Sequence, residues 1–214
     1  MIPLNLTMSF GYGMVPNYWD ERYASEDGKV FDWYCDYTTL KQYLMPYFRR
    51  HVVDFEILIP GCGNSRLGAD IYADGFVNIT NIDISSVVIS QMSDRYSAQD
   101  EMEFSLMDAR HAEGLPDESF DLIIDKGLFD CQLCCSDNLE SAQLLIREMH
   151  RLLKPGGVYI IISHGPPESR MGYLTRGVRW AVDTVNIPKT PLEGLPEEGV
   201  LKYHYMYTCK KIAV

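Results

Sequence analysis

The chain has 214 residues, 46% of them hydrophobic, which suits one ordinary globular domain with ample core. Its 30 acidic residues outnumber 19 basic ones for a formal net charge of −11, the reverse of the balance that neutralises phosphates, so a nucleic-acid partner is not expected. No apolar run approaches a bilayer span, so no membrane partner is expected, and the acidic surface suits solubility or a basic protein partner such as a lysine-rich patch.

Met1 to Phe10 carries no basic residue before its apolar positions and does not read as a secretory signal. Phe10, Tyr12, Tyr18, Trp19, Tyr23, Phe31, Trp33 and Tyr34 then crowd together, and disordered tails are poor in aromatics. The rings can form a lid whose π faces meet a cation such as a sulfonium, or they can cover one end of a sheet. Asp36 to Phe48 has Leu40, Tyr43, Leu44, Tyr47 and Phe48 at helical spacing. The first strand is expected over Phe55 to Pro60, and a helix over Asn64 to Ala73 with Asn64 as N-cap and Gly75 as its stop. A strand over Asn78 to Asp83 precedes a helix capped by Ser85 or Ser86, with Val87, Val88, Met92 and Tyr96 inward. Short strands follow at Glu103 to Met107 and Phe120 to Ile124. Asp137-x-x-Glu140 reads as a capping box for a helix from Leu139 to Leu153, whose buried stripe is Leu144, Leu145, Met149, Leu152 and Leu153. Lys154-Pro155-Gly156-Gly157 is expected to stop it before a strand from Val158 to Ser163, and Gly165 to Gly172 reads as a loop. Val178 to Ile187 and Lys202 to Cys209 form the two arms of an antiparallel hairpin around the Pro/Gly-rich run 188–200.

Cysteines at 35, 62, 131, 134, 135 and 209 show no paired framework, pointing to a reducing, cytoplasmic setting. Cys131-x-x-Cys134-Cys135 lacks a second ligand pair, so no metal site is expected.

The chemistry gathers at the strand ends. Glu56 to Pro60 runs into Gly61-Cys62-Gly63, and a helix-compatible segment follows at once, which is how an open α/β sheet builds a nucleotide-type site. Asp83 ends the next strand and can accept both hydroxyls of a ribose. A dinucleotide turn needs a third small residue where Arg66 stands, and a triphosphate loop needs a Gly-Lys-Ser/Thr ending that is lacking. The turn therefore suits a ribose-bearing ligand without a pyrophosphate, a description that S-adenosylmethionine meets. Asp83, Asp108 and Asp125 fall one after another at strand ends, where such sheets place ligands.

Tyr18-Trp19-Asp20-Glu21-Arg22-Tyr23, Phe31-Asp32-Trp33-Tyr34, Gly61-Cys62-Gly63-Asn64-Ser65, Asp83-Ile84-Ser85-Ser86 and Asp125-Lys126-Gly127 together resemble the class I S-adenosylmethionine-dependent methyltransferases. Within them the likeness is to the methyltransferase-like group that modifies lysines of translation elongation factor 1-alpha, and it covers residues 12–163. It implies an α/β, Rossmann-like sheet of seven strands, mostly parallel with a terminal antiparallel hairpin, helices on both faces and an N-terminal aromatic lid. One methyltransferase domain would span 1–214, with lid and helix in 1–50, the cofactor core in 51–165 and the hairpin in 166–214. Carried over residue by residue, Trp19, Tyr23 and Trp33 would cover the cofactor. Gly61, Cys62, Gly63 and Asn64 would approach its methionine part. Asp83 would hold the ribose, Ile84 the adenine face, and Asp108 and Ala109 the adenine edge. Asp125 and Lys126 would lie beside the methyl group. Leu128-Phe129-Asp130-Cys131 replaces the group's Thr-Leu-Asp-Ala.

The implied function is transfer of the methyl to a deprotonated lysine amine of a protein, with elongation factor 1-alpha as the candidate. Asp125 or Asp130 would orient the ammonium or take its proton, though a carboxylate also stabilises the charged form. A small-molecule methyltransferase on the same fold and a non-catalytic S-adenosylmethionine-binding subunit are the alternatives, and the oligomeric state is open.

Overall fold

The computed structural model describes residues 17–25, 29–49, 54–135, 137–189 and 202–213. Met1 to Phe10, Tyr12 and most of the Pro/Gly-rich run (190–200) lie outside the described residues. In chain order the elements are α1 (Tyr18–Ser25), α2 (Tyr37–Leu44) continuing into a 3₁₀ turn (Met45–Tyr47), β1 (Ile57–Pro60), α3 (Leu67–Ala73) and β2 (Ile79–Asp83). Next come α4 (Ser86–Arg95), β3 (Met102–Leu106), β4 (Phe120–Lys126), α5 (Leu128–Gln132) and α6 (Asn138–Leu152). The chain continues with β5 (Leu153–Ser163), α7 (Pro167–Leu174), β6 (Trp180–Pro188) and β7 (Tyr203–Lys211).

The strands form one seven-stranded sheet in the order β3-β2-β1-β4-β5-β7-β6. β1 to β5 pair in parallel, whereas β7 runs antiparallel to both β5 and β6. The order reverses between β1 and β4, and the crevice at that switch is where such a sheet binds its ligand.

Because side chains alternate along a strand, each central strand feeds two cores. Ile57 and Ile59 of β1, Leu122 and Ile124 of β4, and Ile160 and Ile162 of β5 pack with α2 and α3 residues such as Leu40, Leu44 and Ile71. Leu58, Ile123, Tyr159 and Ile161 point the other way, onto Leu145, Ile146 and Met149 of α6. Both faces are covered, so the strands read as unbroken apolar runs rather than alternating ones. α1 packs on α4, with Tyr23 buried against Val88 and Met92.

Caps fix several helix starts. Asp36 accepts from the Thr39 amide at α2, and Ser85 accepts from the Val88 amide at α4, each contributing about 1 kcal/mol. Asp20 reaches across from α1 to the same α4 terminus, accepting from Ser85 Oγ at 2.5 Å and the Val87 amide at 3.2 Å.

Several expectations need correction. Asn64 does not cap α3, which starts at Leu67; its side chain donates to the Lys29 carbonyl at 2.6 Å, while Ser65 Oγ accepts from the Leu67 amide. The capping box of α6 does not form, since Asp137 makes no side-chain cap bond. In the expected stripe Leu144 is half-exposed, and Ala142 and Ile146 are buried instead. Lys154-Pro155-Gly156-Gly157 does not precede β5 but lies inside it, with a register shift opposite Asp121. Gly156 takes a φ of +78° there, and a Cβ on Gly157 would sit 2.9 Å from the Lys154 carbonyl oxygen, so only glycine fits the bulge. The expected loop at Gly165 to Gly172 is largely helical: Pro167 in the first turn has a φ suited to a helix start, and Leu174 is buried against α6.

Candidate active site

A cavity of about 470 Å³ opens at the carboxyl ends of β1, β2, β3 and β4, beside the topological switch. Its floor is the Gly61-Cys62-Gly63 turn. Gly61 and Gly63 both adopt left-handed backbone, with φ of +60° and +53°. A Cβ on Gly61 would meet the Leu128 side chain at 3.0 Å, and one on Gly63 would lie 2.7 Å from the Tyr23 hydroxyl oxygen. The turn is thus closed from above by the chain's own side chains. Cys62 is anchored by its amide on the Ile82 carbonyl, and burial pushes its thiol up, so it stays a neutral wall atom.

Asp83 braces this turn. Its carboxylate accepts from the Gly63 amide at 2.9 Å and the Ser85 amide at 3.0 Å. Burial raises its pKa, and those two amides offset part of the rise. The carboxylate lines the cavity with further lone pairs able to take a diol. Next to it Ile84 is 53% exposed although it is a large aliphatic, because its side chain borders the cavity; it offers an apolar slab for a flat ring. Ala109 and Asp108 line the same end. Asp108 is held by Arg110, whose Nε and Nη2 reach its two oxygens at 3.0 and 2.7 Å. Burial would raise the Asp108 carboxyl, but Arg110 more than reverses this and lowers it. Arg110 also donates to Ser141 at 3.0 Å, and sequence reasoning missed it.

The aromatic segment forms the outer wall. Trp19 and Tyr23, one helical turn apart on α1, stack with ring centroids 5.9 Å apart. The Arg22 guanidinium lies 5.6 Å from the Trp19 ring, 5.4 Å from Phe31 and 5.2 Å from Trp33, and all four residues line the cavity. Arg22 itself carried no signal beyond its place in the Tyr-Trp-Asp-Glu-Arg-Tyr run.

Lys126 is expected to lie beside the ligand, and it does line the cavity. Its side chain, 4% exposed, instead pairs with Asp32 at 2.5 Å and reaches the Trp33 carbonyl at 3.3 Å. Asp32 also accepts from Ser65 Oγ. One half-buried carboxylate therefore ties the aromatic wall, the glycine turn and the end of β4 together.

The two acids expected to handle a substrate proton are placed differently. Asp125 is fully buried and does not line the cavity; it accepts from Tyr159 Oη at 2.8 Å and from the Phe129 amide at 3.0 Å, capping α5 from inside the core. Burial pushes its carboxyl up to about 7, against the pull of those two donors. That geometry corrects the expectation that Asp125 touches the reacting amine. Asp130, on α5, is also buried and outside the cavity lining, and it accepts from Tyr34, Ser163, His164 and Arg170. Burial alone would raise it; the bonds from His164, Ser163 and Tyr34 more than reverse that and hold it well below the usual carboxylate range. Among the described residues, no group of three or more His, Cys, Asp or Glu is placed to hold a metal ion, and no helix is long and apolar enough to cross a membrane.

S-adenosylmethionine fits what is present: a side-chain-free turn, a strand-end acid with lone pairs to spare, an apolar slab and an aromatic wall. The comparisons agree. The methyltransferase domain family matches residues 58–161. EEF1A lysine methyltransferase 4 of Bos taurus is 34% identical over 75% of this chain and 64% of its own length, and that of Mus musculus 32% over 78% and 68%. The eEF1A lysine and N-terminal methyltransferase of Homo sapiens is 35% identical over 69% of this chain and 21% of its own. The chain thus spans about two thirds of the first two relatives and a fifth of the third. Among solved structures, geranyl diphosphate C-methyltransferase of Streptomyces coelicolor, in complex with S-adenosyl-L-homocysteine, superposes with a TM-score of 0.65 over 94% of this chain and 98% of its own at 11% identity. A methyltransferase of Methanosarcina mazei gives 0.62 over 80% and 98% at 18% identity. The chain belongs to the class I S-adenosylmethionine-dependent methyltransferases, in the group that includes the eEF1A lysine methyltransferases.

Proposed function

We propose that this chain is an S-adenosylmethionine-dependent protein-lysine N-methyltransferase whose substrate is a lysine of an elongation factor 1-alpha-like protein. The observation that carries the reading is the join of an S-adenosylmethionine-type cavity to an aromatic pair, Trp33 and Tyr34, so close over Gly127 that a Cβ there would lie 3.6 Å from both side chains. Such a pair suits the apolar stem of a lysine, and desolvation between rings favours its neutral amine. The names of relatives at 32 to 35% identity supply the substrate. We read the chain as one domain, with residues 1–50 as lid and helix, 51–165 as core and 166–214 as hairpin, working in the cytoplasm, where free thiols such as Cys134 persist.

When bound, S-adenosylmethionine supplies a methyl already made electrophilic by its sulfonium. What remains for the chain is orientation and a neutral amine, against a reference lysine pKa of roughly 10.4. Trp19, Tyr23 and Trp33 exclude water from above, and Gly61 to Asn64 and Asp83 fix the ligand from below. Asp108, Ala109 and Ile84 hold the base, and Lys126 and Gly127 flank the transfer site. Asp130 acts through Tyr34 and His164, to which it is bonded.

The test is tritiated S-adenosylmethionine with purified elongation factor 1-alpha and with cell lysate, followed by mapping of any labelled residue. Label on a lysine of that factor supports the reading. Label on small molecules alone favours a metabolite methyltransferase, and cofactor binding with no transfer to any acceptor favours a binding subunit.

A further inference from the structure

Beyond Gly127, on the side facing β5, four elements and the lid bring a second polar cluster together. Tyr34 from the lid and Asp130 from α5 meet Ser163 and His164 at the end of β5, Arg170 of α7 and His204 of β7. Asp130 Oδ2 accepts from Tyr34 Oη at 2.7 Å, His164 Nδ1 at 2.8 Å and the His164 amide at 2.9 Å. Its Oδ1 accepts from Ser163 Oγ at 2.6 Å and from Arg170 at 3.0 Å. Its lone pairs are therefore taken, and it has no site left for a proton from substrate.

Along the sheet the order is Asp108 and Ala109 after β3, Asp83 at β2, Gly61 at β1, Gly127 after β4, then His164 after β5. A nucleoside held at the β2 and β3 end directs its reactive end toward β4, and β5 is the next strand, roughly 5 Å further on. Gly127 lines the cavity, and the Tyr34 ring lies 3.6 Å from where a Cβ on Gly127 would sit. Tyr34 Oη reaches His164 Nδ1 at 3.3 Å, so His164 is one side chain removed from the β4 end of the cavity.

We propose that His164 accepts the proton of the substrate ammonium, with Asp130 and Tyr34 as its positioning residues; this rests on the lysine-methylation reading above. An ionised Asp130 only accepts, so His164 Nδ1 carries the hydrogen it shares and Nε2 keeps its lone pair. Arg170, 11% exposed, balances the Asp130 charge, which removes the pull that a bare carboxylate would exert on the ammonium. Neither neighbouring ring competes. Burial and the Asp130 charge push the Tyr34 phenol up, so it stays protonated. Burial, then the Lys189 charge, lower His204 to about 4, and its Nδ1 is buried out of reach. His164 is 49% exposed.

The steps balance. The ammonium gives one proton to Nε2, leaving a neutral amine and an imidazolium whose Nδ1 lies 2.8 Å from Asp130 Oδ2. The amine lone pair then forms the nitrogen–carbon bond as the carbon–sulfur bond breaks, its electron pair staying on sulfur. The imidazolium returns its proton to water at its exposed edge.

His164→Gln and His164→Ala are compared with the full-length wild type in single-turnover assays on elongation factor 1-alpha, alongside calorimetric S-adenosylmethionine binding. The expected result is a rate loss of about 100-fold or more, cofactor affinity within about twofold, and recovery of the Ala variant on adding imidazole. Ring-¹⁵N spectra of the cofactor-free protein should show an unprotonated Nε2 in wild type, and a mixed tautomer in Asp130→Asn. A His164→Gln rate within about threefold of an active wild type, no imidazole rescue, or a protonated Nε2 overturns the proposal. A wild type that methylates no protein lysine overturns the lysine reading itself, and this assignment falls with it.

Discussion

Asp32→Asn tests whether the buried clamp at Lys126 holds the aromatic wall. The change keeps the side chain's shape and a hydrogen bond to Ser65 but strands a cation that is 4% exposed. Removing one partner of a buried pair costs about 3–5 kcal/mol. Asp32 is 19% exposed and the Trp33 carbonyl remains at 3.3 Å, so we expect somewhat less than that, about 2–3 kcal/mol. A chain of 214 residues has an unfolding entropy of roughly 0.45 kcal/mol/K, so the Tm should fall by about 4–7 °C. Because the clamp positions Trp33, S-adenosylmethionine affinity by calorimetry should fall about tenfold, equivalent to about 1.4 kcal/mol. Adding Lys126→Met should restore much of the Tm, since a stranded charge is worse than an apolar side chain. Lys41→Ala, which breaks the open Lys41–Asp74 pair at 2.8 Å, should cost no more than about 1 kcal/mol. An Asp32→Asn protein as stable as the Lys41→Ala control, or a double variant weaker than the single, would refute the clamp.

Gly63→Ala forces a side chain into a φ of +53° and to 2.7 Å from the Tyr23 hydroxyl; we expect about 1–3 kcal/mol of destabilisation and at least tenfold weaker cofactor binding, and unchanged affinity counts against the cavity. Asp83→Ala leaves the Gly63 and Ser85 amides without their acceptor, so cofactor Kd should rise steeply while turnover at saturation stays close to wild type; a collapse of turnover with Kd intact would give Asp83 another role. Asp125, raised to about 7 by burial, is a destabilising acid: between roughly pH 4 and pH 7 the folded chain keeps a proton that the unfolded one has lost, so stability falls as pH rises. Urea unfolding at pH 5, 6, 7 and 8 should show a steeper decline for wild type than for Asp125→Asn, and parallel curves would dispose of the argument. Asp130 acts in the opposite window, since its lowered carboxyl contributes stability above roughly pH 4 that is lost as pH falls below it.

The features that follow from chain periodicity were legible. The apolar runs of β1, β2, β4 and β5, the glycine turn and the acid at Asp83 stand where spacing put them, because each depends on residues next to one another. What depends on partners far along the chain was not. Lys154 to Gly157 carries every local mark of a helix stop, yet pairing with Phe120 and room for a bulge draw it into β5. Asn64 has the chemistry of a cap but is taken by a carbonyl 35 residues away. Asp20 and Asp32 each bond groups more than 30 positions distant, and nothing near them in sequence announces it. His164 ends a strand as the acids do, and a search for acids alone passes over it.

The segment Asp125 to Asp130 shows how closely role follows geometry rather than residue type. Strand alternation puts Asp125 on the same face as Ile123, so it enters the core beneath α6 and meets Tyr159, which sits beside Ile161 on β5. Lys126, one step on, shares a face with Leu122 and Ile124 and so turns toward Asp32 and the Trp33 carbonyl. Gly127 then takes a φ of +102° that ends the strand and starts α5 at once. One short helical turn carries Asp130 over to β5, where four side chains and one amide saturate it. Two like acids five positions apart are thereby driven in opposite directions, one made hard to ionise and the other hard to protonate. Only the second bonds Tyr34 and His164, and its charge is spent on orienting a histidine. A charged group that has no free lone pair can still set which nitrogen of its neighbour is free, and that is the property a lysine substrate would use.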